Sequence, residues 1–414
     1  MAMIAPLSRE YDVLGLRAQF PALQRRINGR ALTYLDNGAS AQQPAAVIEA
    51  VTDYSRNHHS NVHRGVHTLS QEATALFEGA RGKVRGFINA ASDREIIFVR
   101  GTTEAINLVA GTLGRSRLQP GDEVVISWLE HHANIVPWQM LCEQTGARLR
   151  VVPMDRRGVV DFDAYRALLG PRTRIVALAH VSNALGTVLP IREFIAEARA
   201  RGIATVVDGA QAVPHQRIDV QALGCDFYAF SGHKMYGPTG IGVLYAREAV
   251  LATLPPWQGG GDMILTVSFT RTTWNSLPWR FEAGTPNIAG AVGLGAAIDW
   301  LGQVGMEAIA AHEADLLAFA TERLATIPGL TIIGTAPDKA SLVSFTVDGV
   351  HPHDLGTVLD AEGVAVRTGH HCAMPVMEFF DVPATTRASF ALYNTREEIE
   401  ILHAALTRAI GMLR

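Results

Sequence analysis

Residues Ala204–Tyr245 read ATVVDGAQAVPH, a short connector, and then DFYAFSGHKMYGPTGIGVLY. The first half is an apolar strand that ends in an acid, Asp208, followed by small residues and Gln211. The second half is another apolar run ending in Ser231, Gly232, His233 and Lys234, after which a glycine-rich turn feeds a third apolar run. An acid and a lysine, each just past the carboxyl end of a buried strand, meet the needs of pyridoxal 5'-phosphate. The lysine forms the Schiff base and the aspartate keeps the pyridine nitrogen protonated. Most lysines are solvated surface charges. Lys234 instead sits among Gly232, Gly237, Gly240 and Gly242 between hydrophobic strands, where an unpaired charge is costly.

Outward from this stretch, apolar strands alternate with helical patterns. Strands are expected at 96–99, 124–127, 149–153, 175–180, 204–207, 227–230 and 242–245. Most are near-continuous apolar runs, the pattern of a parallel sheet covered by helices on both faces. Helices are expected at about 44–57, 70–87, 135–145, 162–169, 191–201 and 288–303, with a long one to about 325 bridging into a second unit. The fold class is α/β, with ligands at the carboxyl ends of the strands. The second unit reads as strands at 330–333 and 342–347, a helix at 353–362, a strand at 387–393 and a last helix from Thr395. The expected division is an arm over 1–30 with one short helix, a large domain over 31–300 and a smaller α+β domain over 301–414. Residues 254–286 read as one long irregular segment, functional or interfacial in character.

Composition bounds the function. The 414 residues suffice for a large domain plus a smaller one, and 48% hydrophobic with 18% charged residues is ordinary for a globular chain. A net charge of −4 without a basic block argues against nucleic acid or an anionic membrane as partner. No stretch is apolar enough to span a bilayer, and the start, with Arg9, Glu10, Asp12 and Arg17, lacks a signal-peptide core. The cytoplasm is the expected location. Cys142, Cys225 and Cys372 are odd in number and widely spaced, against a disulfide framework or structural zinc. Cys142 and Cys225 lie in apolar settings, as small core residues do.

Further stretches carry chemistry. IIFVRGTTEAINLVAGTL (96–113) is strand, turn and helix. Gly101, Thr102 and Thr103 open the helix at an end suited to phosphate, with Ser231 and His233 as further donors; alone, it is an ordinary helix start. SWLEHHANIVPW (127–138) sets His131 and His132 past a strand end, where an imidazole can lie on a cofactor ring and shuttle protons. Metal binding lacks a third ligand at zinc spacing, and one of the two can simply bond to backbone. HVSNALGTVLP (180–190) places Asn183 after another strand, and it and Gln211 can touch cofactor or substrate or serve as turn residues. VAVRTGHHCAMP (364–375) sets Cys372 after two histidines, with Arg367 nearby, an exposed electropositive setting that favours thiolate. Metal binding by the adjacent His370, His371 and Cys372 is sterically awkward. Arg387 in TRASFALYN is a candidate fork for a substrate carboxylate. His58, His59, His63 and His67 share a loop with Arg64, read as an active-site rim or dimer contact.

Together LDNGAS, HRGVHTLS, GTTEAINLVA, EHHANIVPWQ, VDGAQAVPH, SGHKMYGPTGIGVLY, FEAGTPN, RTGHHCAMP and RASFALYNT give a resemblance that covers nearly the whole chain. The chain resembles the fold-type I pyridoxal-phosphate enzymes of aminotransferase class V. More narrowly it resembles the SufS-type (group II) cysteine desulfurases, close to CsdA-like desulfurases and selenocysteine lyases; RTGHHCAMP carries the narrower likeness. The resemblance implies that Lys234 holds the cofactor, Asp208 pairs with its ring nitrogen and His131 stacks on the ring. It further implies that Thr102, Thr103, Ser231 and His233 hold the phosphate, with Thr285 from the other subunit of a homodimer. Asn183 and Gln211 would lie on the phenolate side, and Arg387, with Arg367 near, would take the carboxylate of L-cysteine or L-selenocysteine. Cys372 would receive the sulfur as a persulfide for an acceptor of the SufE or SufU kind that feeds iron–sulfur assembly. A selenocysteine lyase that does not need Cys372, and a persulfide-carrying scaffold, are the competing readings.

Overall fold

The computed structural model describes residues 11–414. Arg9 and Glu10 of the N-terminal reading lie outside the described residues; the arm's short helix is Val13–Ala18. The large unit is built on seven strands: β1 (Ile96–Val99), β2 (Glu123–Ser127), β3 (Arg148–Val152), β4 (Thr173–Ala179), β5 (Ala204–Asp208), β6 (Phe227–Ser231) and β7 (Gly242–Ala246). Their order across the sheet is β1-β7-β6-β5-β4-β2-β3. β7 alone runs against its neighbours, because the turn after Lys234 returns it directly beside β6.

The near-continuous apolar runs are explained by two cores. Side chains alternate across a strand, so one face takes Phe98, Val125, Val176, Val207, Tyr228 and Val243. The other takes Ile97, Val124, Ile126, Ile175, Val206, Phe227 and Leu244. Helices cover both faces, and of the seven strands the edge strand β3 is the exposed one, with Val151 open to water. Helices α1 (Thr68–Phe87) and α2 (Ile288–Val304) pack together on the first face.

Helix α3 (Met306–Ala325) links the two units. Its Met306 and Ile309 belong to the large core, while Leu316, Ala320 and Leu324 belong to the smaller one. The smaller unit has strands β8 (Leu330–Ile333), β9 (Leu342–Val347), β10 (Arg367–Gly369) and β11 (Thr385–Ser389), in the antiparallel order β8-β9-β11-β10. Helices α4 (Pro352–Ala361) and α5 (Arg396–Leu413) pack together beside it, and Thr395 starts α5 with a reciprocal capping box to Glu398. Leu35 is fully buried in this smaller core, and Thr33–Tyr34 pairs in parallel with Val364–Ala365.

Three expectations are corrected. The last strand ends at Ser389 rather than Tyr393. The apolar residues that follow are buried, but the Leu392 and Tyr393 carbonyls accept from Tyr11 and Arg17 of the arm instead of from a strand. The first long helix ends its α-helical part at Asp53 and continues as a wider turn, Tyr54–His58. The irregular 254–286 segment contains an exposed hairpin, Ile264–Val267 with Thr272–Trp274.

Candidate active site

The carboxyl ends of β4, β5 and β6 open into a cavity of about 230 Å³, closed from the far side by residues of the smaller unit. Thr102, Thr103, His131, Asn183, Asp208, Gln211, Ser231, His233, Lys234, Arg367, Cys372 and Arg387 all line it. Residues as far apart in sequence as Gly38 and Arg387 are thus brought to one space.

Lys234 follows β6 in a single tight turn. Burial lowers its amine to about 8, Asp208 opposes that shift, and Arg387 adds to it. Asp208 ends β5 and is buried; burial raises its carboxyl, while the Ala210 N–H and the charge of Lys234 pull it back. Its Oδ1 accepts from Ala210 N at 2.9 Å. His131 accepts the Ala133 N–H on Nδ1 at 3.0 Å, which leaves the proton on Nε2. Burial, then the charge of Lys234, lowers His131 to about 4, so the ring is neutral near pH 7.

At one end of the cavity Ser231 Oγ lies 2.9 Å from the Thr102 N–H and 2.8 Å from Thr102 Oγ1, joining β6 to the start of the helix Thr102–Val109. The approach is close: a Cβ on Gly242 would stand 2.6 Å from the Gly101 Cα. At the other end Arg387, 2% exposed, donates through Nη1 to the Asn183 carbonyl at 2.7 Å and through Nη2 to Asp36 at 3.3 Å. Its Nε is buried without a partner, as is Oδ1 of Asn183. Buried unpartnered groups of this kind cost about 1–3 kcal/mol unless a ligand satisfies them. Gly38 lets the chain pass this guanidinium, since a Cβ there would lie 3.1 Å from Cζ.

Cys372 is exposed at the cavity mouth, while Cys142 and Cys225 are buried. It and His371 adopt consecutive left-handed conformations, φ 55° and 53°. Each such residue costs of order 1–3 kcal/mol and persists only where its surroundings enforce it. His371 is not an exposed neighbour of the thiol: it is buried, bonded to Thr385 Oγ1 at 2.8 Å, and burial lowers it to about 3. The exposed neighbour is His370.

Other candidate residues have partners of their own. His132 bonds to backbone, as one of the pair was expected to do. Gln211 lines the cavity but donates to the Gly38 carbonyl at 2.6 Å. His233 reaches Ser40 Oγ at 3.4 Å. Thr285 lies in a separate cleft with Arg100, Glu104 and Trp257. His58, His63 and His67 are not on the cavity; they bond Glu72, Glu78 and the N-terminal turn of α1. Asp36 was missed. It bonds Arg367 Nε at 3.2 Å as well as Arg387, and within LDNGAS nothing marks an acid whose partners lie more than 300 residues on.

Residues 33–402, which take in both units, match the family Aminotransferase class-V. The chain belongs to aminotransferase class V. A relative from Serratia proteamaculans, named cysteine desulfurase, is 54% identical over 404 residues, 97% of this chain and 99% of that one. The crystal structure of the cysteine desulfurase CsdA from Escherichia coli aligns with a TM-score of 0.91 at 43% identity, over 98% of this chain and 100% of that one. An apo cysteine desulfurase from Thermococcus onnurineus aligns at 0.90 with 39% identity, over 95% and 99%. The seven-stranded, mostly parallel sheet is therefore the fold-type I class V architecture. Class V membership implies pyridoxal phosphate, and the cavity fits that group: an amine and a buried carboxylate face one space, with a helix start at one end and orphaned polar atoms at the other.

Proposed function

We propose that this protein is a cysteine desulfurase that uses pyridoxal phosphate, converting L-cysteine to L-alanine and taking the sulfur onto Cys372. One observation carries the reading: the exposed thiol of Cys372 lines the same cavity as Lys234, Asp208 and Arg387. When bound, the cofactor supplies an electron sink for bonds made and broken at the substrate carbons.

Lys234 would hold the cofactor, and an amine near 8 both attacks a carbonyl and carries a proton at neutral pH. Asp208 would hold the pyridine nitrogen; Thr102, Thr103, Ser231 and His233 would hold the phosphate. Neutral His131 would face the ring and present its Nε2–H. Asn183 and Gln211 would lie toward the phenolate oxygen, and Asn183 also toward substrate. Arg387, with its unused Nε, would take the substrate carboxylate, and Arg367 would share that duty across Asp36. Cys372 then stands where the substrate sulfur arrives: its thiolate would attack that sulfur, the S–S bond forming as the substrate Cβ–S bond breaks, and the electron pair left on the carbon skeleton would take a proton at Cβ to give alanine.

The SufS-type (group II) assignment is part of the proposal, supported by RTGHHCAMP at the cavity mouth. So are a homodimer in which Thr285 serves the neighbouring subunit, a cytoplasmic location, and delivery to a SufE- or SufU-type acceptor for iron–sulfur assembly. L-Selenocysteine is proposed as an additional substrate. We divide the chain at 1–30, 31–300 and 301–414, with Leu35 docking back on the last unit.

The test compares alanine release from L-cysteine by wild type and Cys372→Ala, with dithiothreitol as acceptor and the visible absorbance of bound cofactor recorded for each. Wild type is expected to release alanine, and the variant to keep the absorbance but lose about 100-fold or more in kcat. Equal rates would remove Cys372 as sulfur acceptor. Absence of cofactor absorbance in both would remove the cofactor assignment.

A further inference from the structure

The His371–Cys372 turn is strained in isolation, so something outside it must hold it. Within the smaller unit His371 bonds Thr385 Oγ1 at 2.8 Å, and further restraints come from the large unit. The His132 backbone N–H donates to the Cys372 carbonyl at 2.7 Å. The same residue's Nε2 accepts the Met374 N–H at 3.1 Å. Asn183 Nδ2 donates to the His371 carbonyl, and Trp128 Nε1 donates to the Pro375 carbonyl at 2.8 Å. Of these residues only His132 holds the turn at two points, the Cys372 carbonyl and the Met374 N–H, both directly C-terminal to the Cys372 side chain.

We propose that His132 is a positioning residue for Cys372: its backbone and imidazole form a two-point clamp that holds the nucleophile's turn at the mouth of the cavity. His132 adjoins His131 in sequence, so the clamp ties the cysteine to the same short segment that presents His131 to the cavity. Accepting the Met374 N–H on Nε2 requires a neutral ring with its proton on Nδ1. Burial, and then the charge of His370, lower the His132 titration and favour that form. The side chain lies outside the cavity lining, so its loss leaves the cofactor-facing residues in place. A small displacement of a reacting atom is enough to slow a reaction about 100-fold.

The kinetic part rests on the desulfurase reading; the exchange part does not. The cofactor-loaded wild type, His132→Ala and His132→Gln are compared, because a glutamine Oε1 can accept the Met374 N–H where Nε2 does. Hydrogen–deuterium exchange is followed on peptides covering Met374, alongside the cofactor absorbance and the kcat and KM for alanine release. His132→Ala is expected to speed exchange at Met374 and to lower kcat by about 10- to 100-fold, with KM within about twofold and the absorbance unchanged. His132→Gln is expected to recover most of both. Unchanged exchange in His132→Ala, or faster exchange with wild-type kcat, overturns the proposal. Loss of the cofactor absorbance also overturns it, since His132 would then act on the cofactor site. A wild type without alanine release sinks the desulfurase reading alone, and the exchange comparison still decides whether His132 holds the turn.

Discussion

At the scale of single residues, the site is a set of charges whose burial is tolerated because each has a counterpart. Arg387 is the clearest case: burial works against its charge, and Asp36 offsets that cost. Its geometry, with two nitrogens engaged and Nε unused, is a fork ready for a carboxylate. A lysine at this position keeps the charge but loses the planar fork. Arg387→Lys is therefore expected to raise KM for L-cysteine by roughly 10- to 100-fold with a smaller change in kcat, the pattern of lost uniform binding. Steady-state alanine release over a range of cysteine concentrations checks it; an unchanged KM would move the carboxylate site elsewhere. Arg387 was legible in the sequence as an arginine near a strand start. Asp36 was not, because a counter-charge is defined by its partner in space. The same limit hid the partners of His132, Cys372 and Met374, which lie some 240 residues away.

At the scale of elements, buried pairs fasten loops to the scaffold. The FEAGTPN segment is tied down by Glu282, which accepts from Arg81 at 2.7 and 2.9 Å and from the Phe98 N–H of β1 at 2.6 Å. Arg81, 1% exposed, also lies over the Phe77 and Phe98 rings. The tie runs from α1 through the segment to the sheet edge, and three residues beyond Glu282 lies Thr285. Arg81 also holds Glu78 through Nε at 2.8 Å, so loss of Glu282 leaves the buried guanidinium half-paired and costs less than the about 3–5 kcal/mol of a fully stranded charge. Glu282→Ala is expected to lose about 1–3 kcal/mol in denaturant unfolding, and Arg81→Leu with Glu282→Leu together less than the sum. Additive losses would mean that the two residues do not form one unit. Strand and helix positions were largely legible here because apolar runs and helical spacing are local signals. The end of β11 was not: Phe390–Tyr393 is apolar enough for a strand, but its carbonyls are claimed by Tyr11 and Arg17. The hairpin inside 254–286 was missed because its side chains are exposed and carry no buried pattern.

At the scale of the whole molecule, the two units share buried groups whose titration links stability to pH. The near-continuous apolar runs made the large sheet legible, yet nothing local revealed how many histidines the folded structure holds neutral. Burial lowers His180 and His131 to about 4, His233 to about 4 and His371 to about 3, from an ordinary 6.5. His180, for example, is buried with Nδ1 at 3.0 Å from the Tyr228 hydroxyl. Between those values and 6.5 the unfolded chain binds protons that the folded chain does not, so stability rises with pH across that window and falls on acidification. Carboxyls raised by burial work in the opposite sense. Glu130, moved up to about 7, binds a proton in the folded state above 4.5 that the unfolded chain has released, and Asp208 and Glu398 are raised as well. Each of those three opposes by at most one proton, against four histidines, so the histidine direction prevails. The melting temperature is therefore expected to drop by roughly several degrees between pH 7 and pH 5, and His180→Gln, which cannot charge, is expected to flatten part of that slope. Differential scanning fluorimetry across that range, with wild type and variant side by side, decides it. A melting temperature that rises toward pH 5 would mean that the buried carboxyls, and Glu130 first among them, dominate the proton balance of folding.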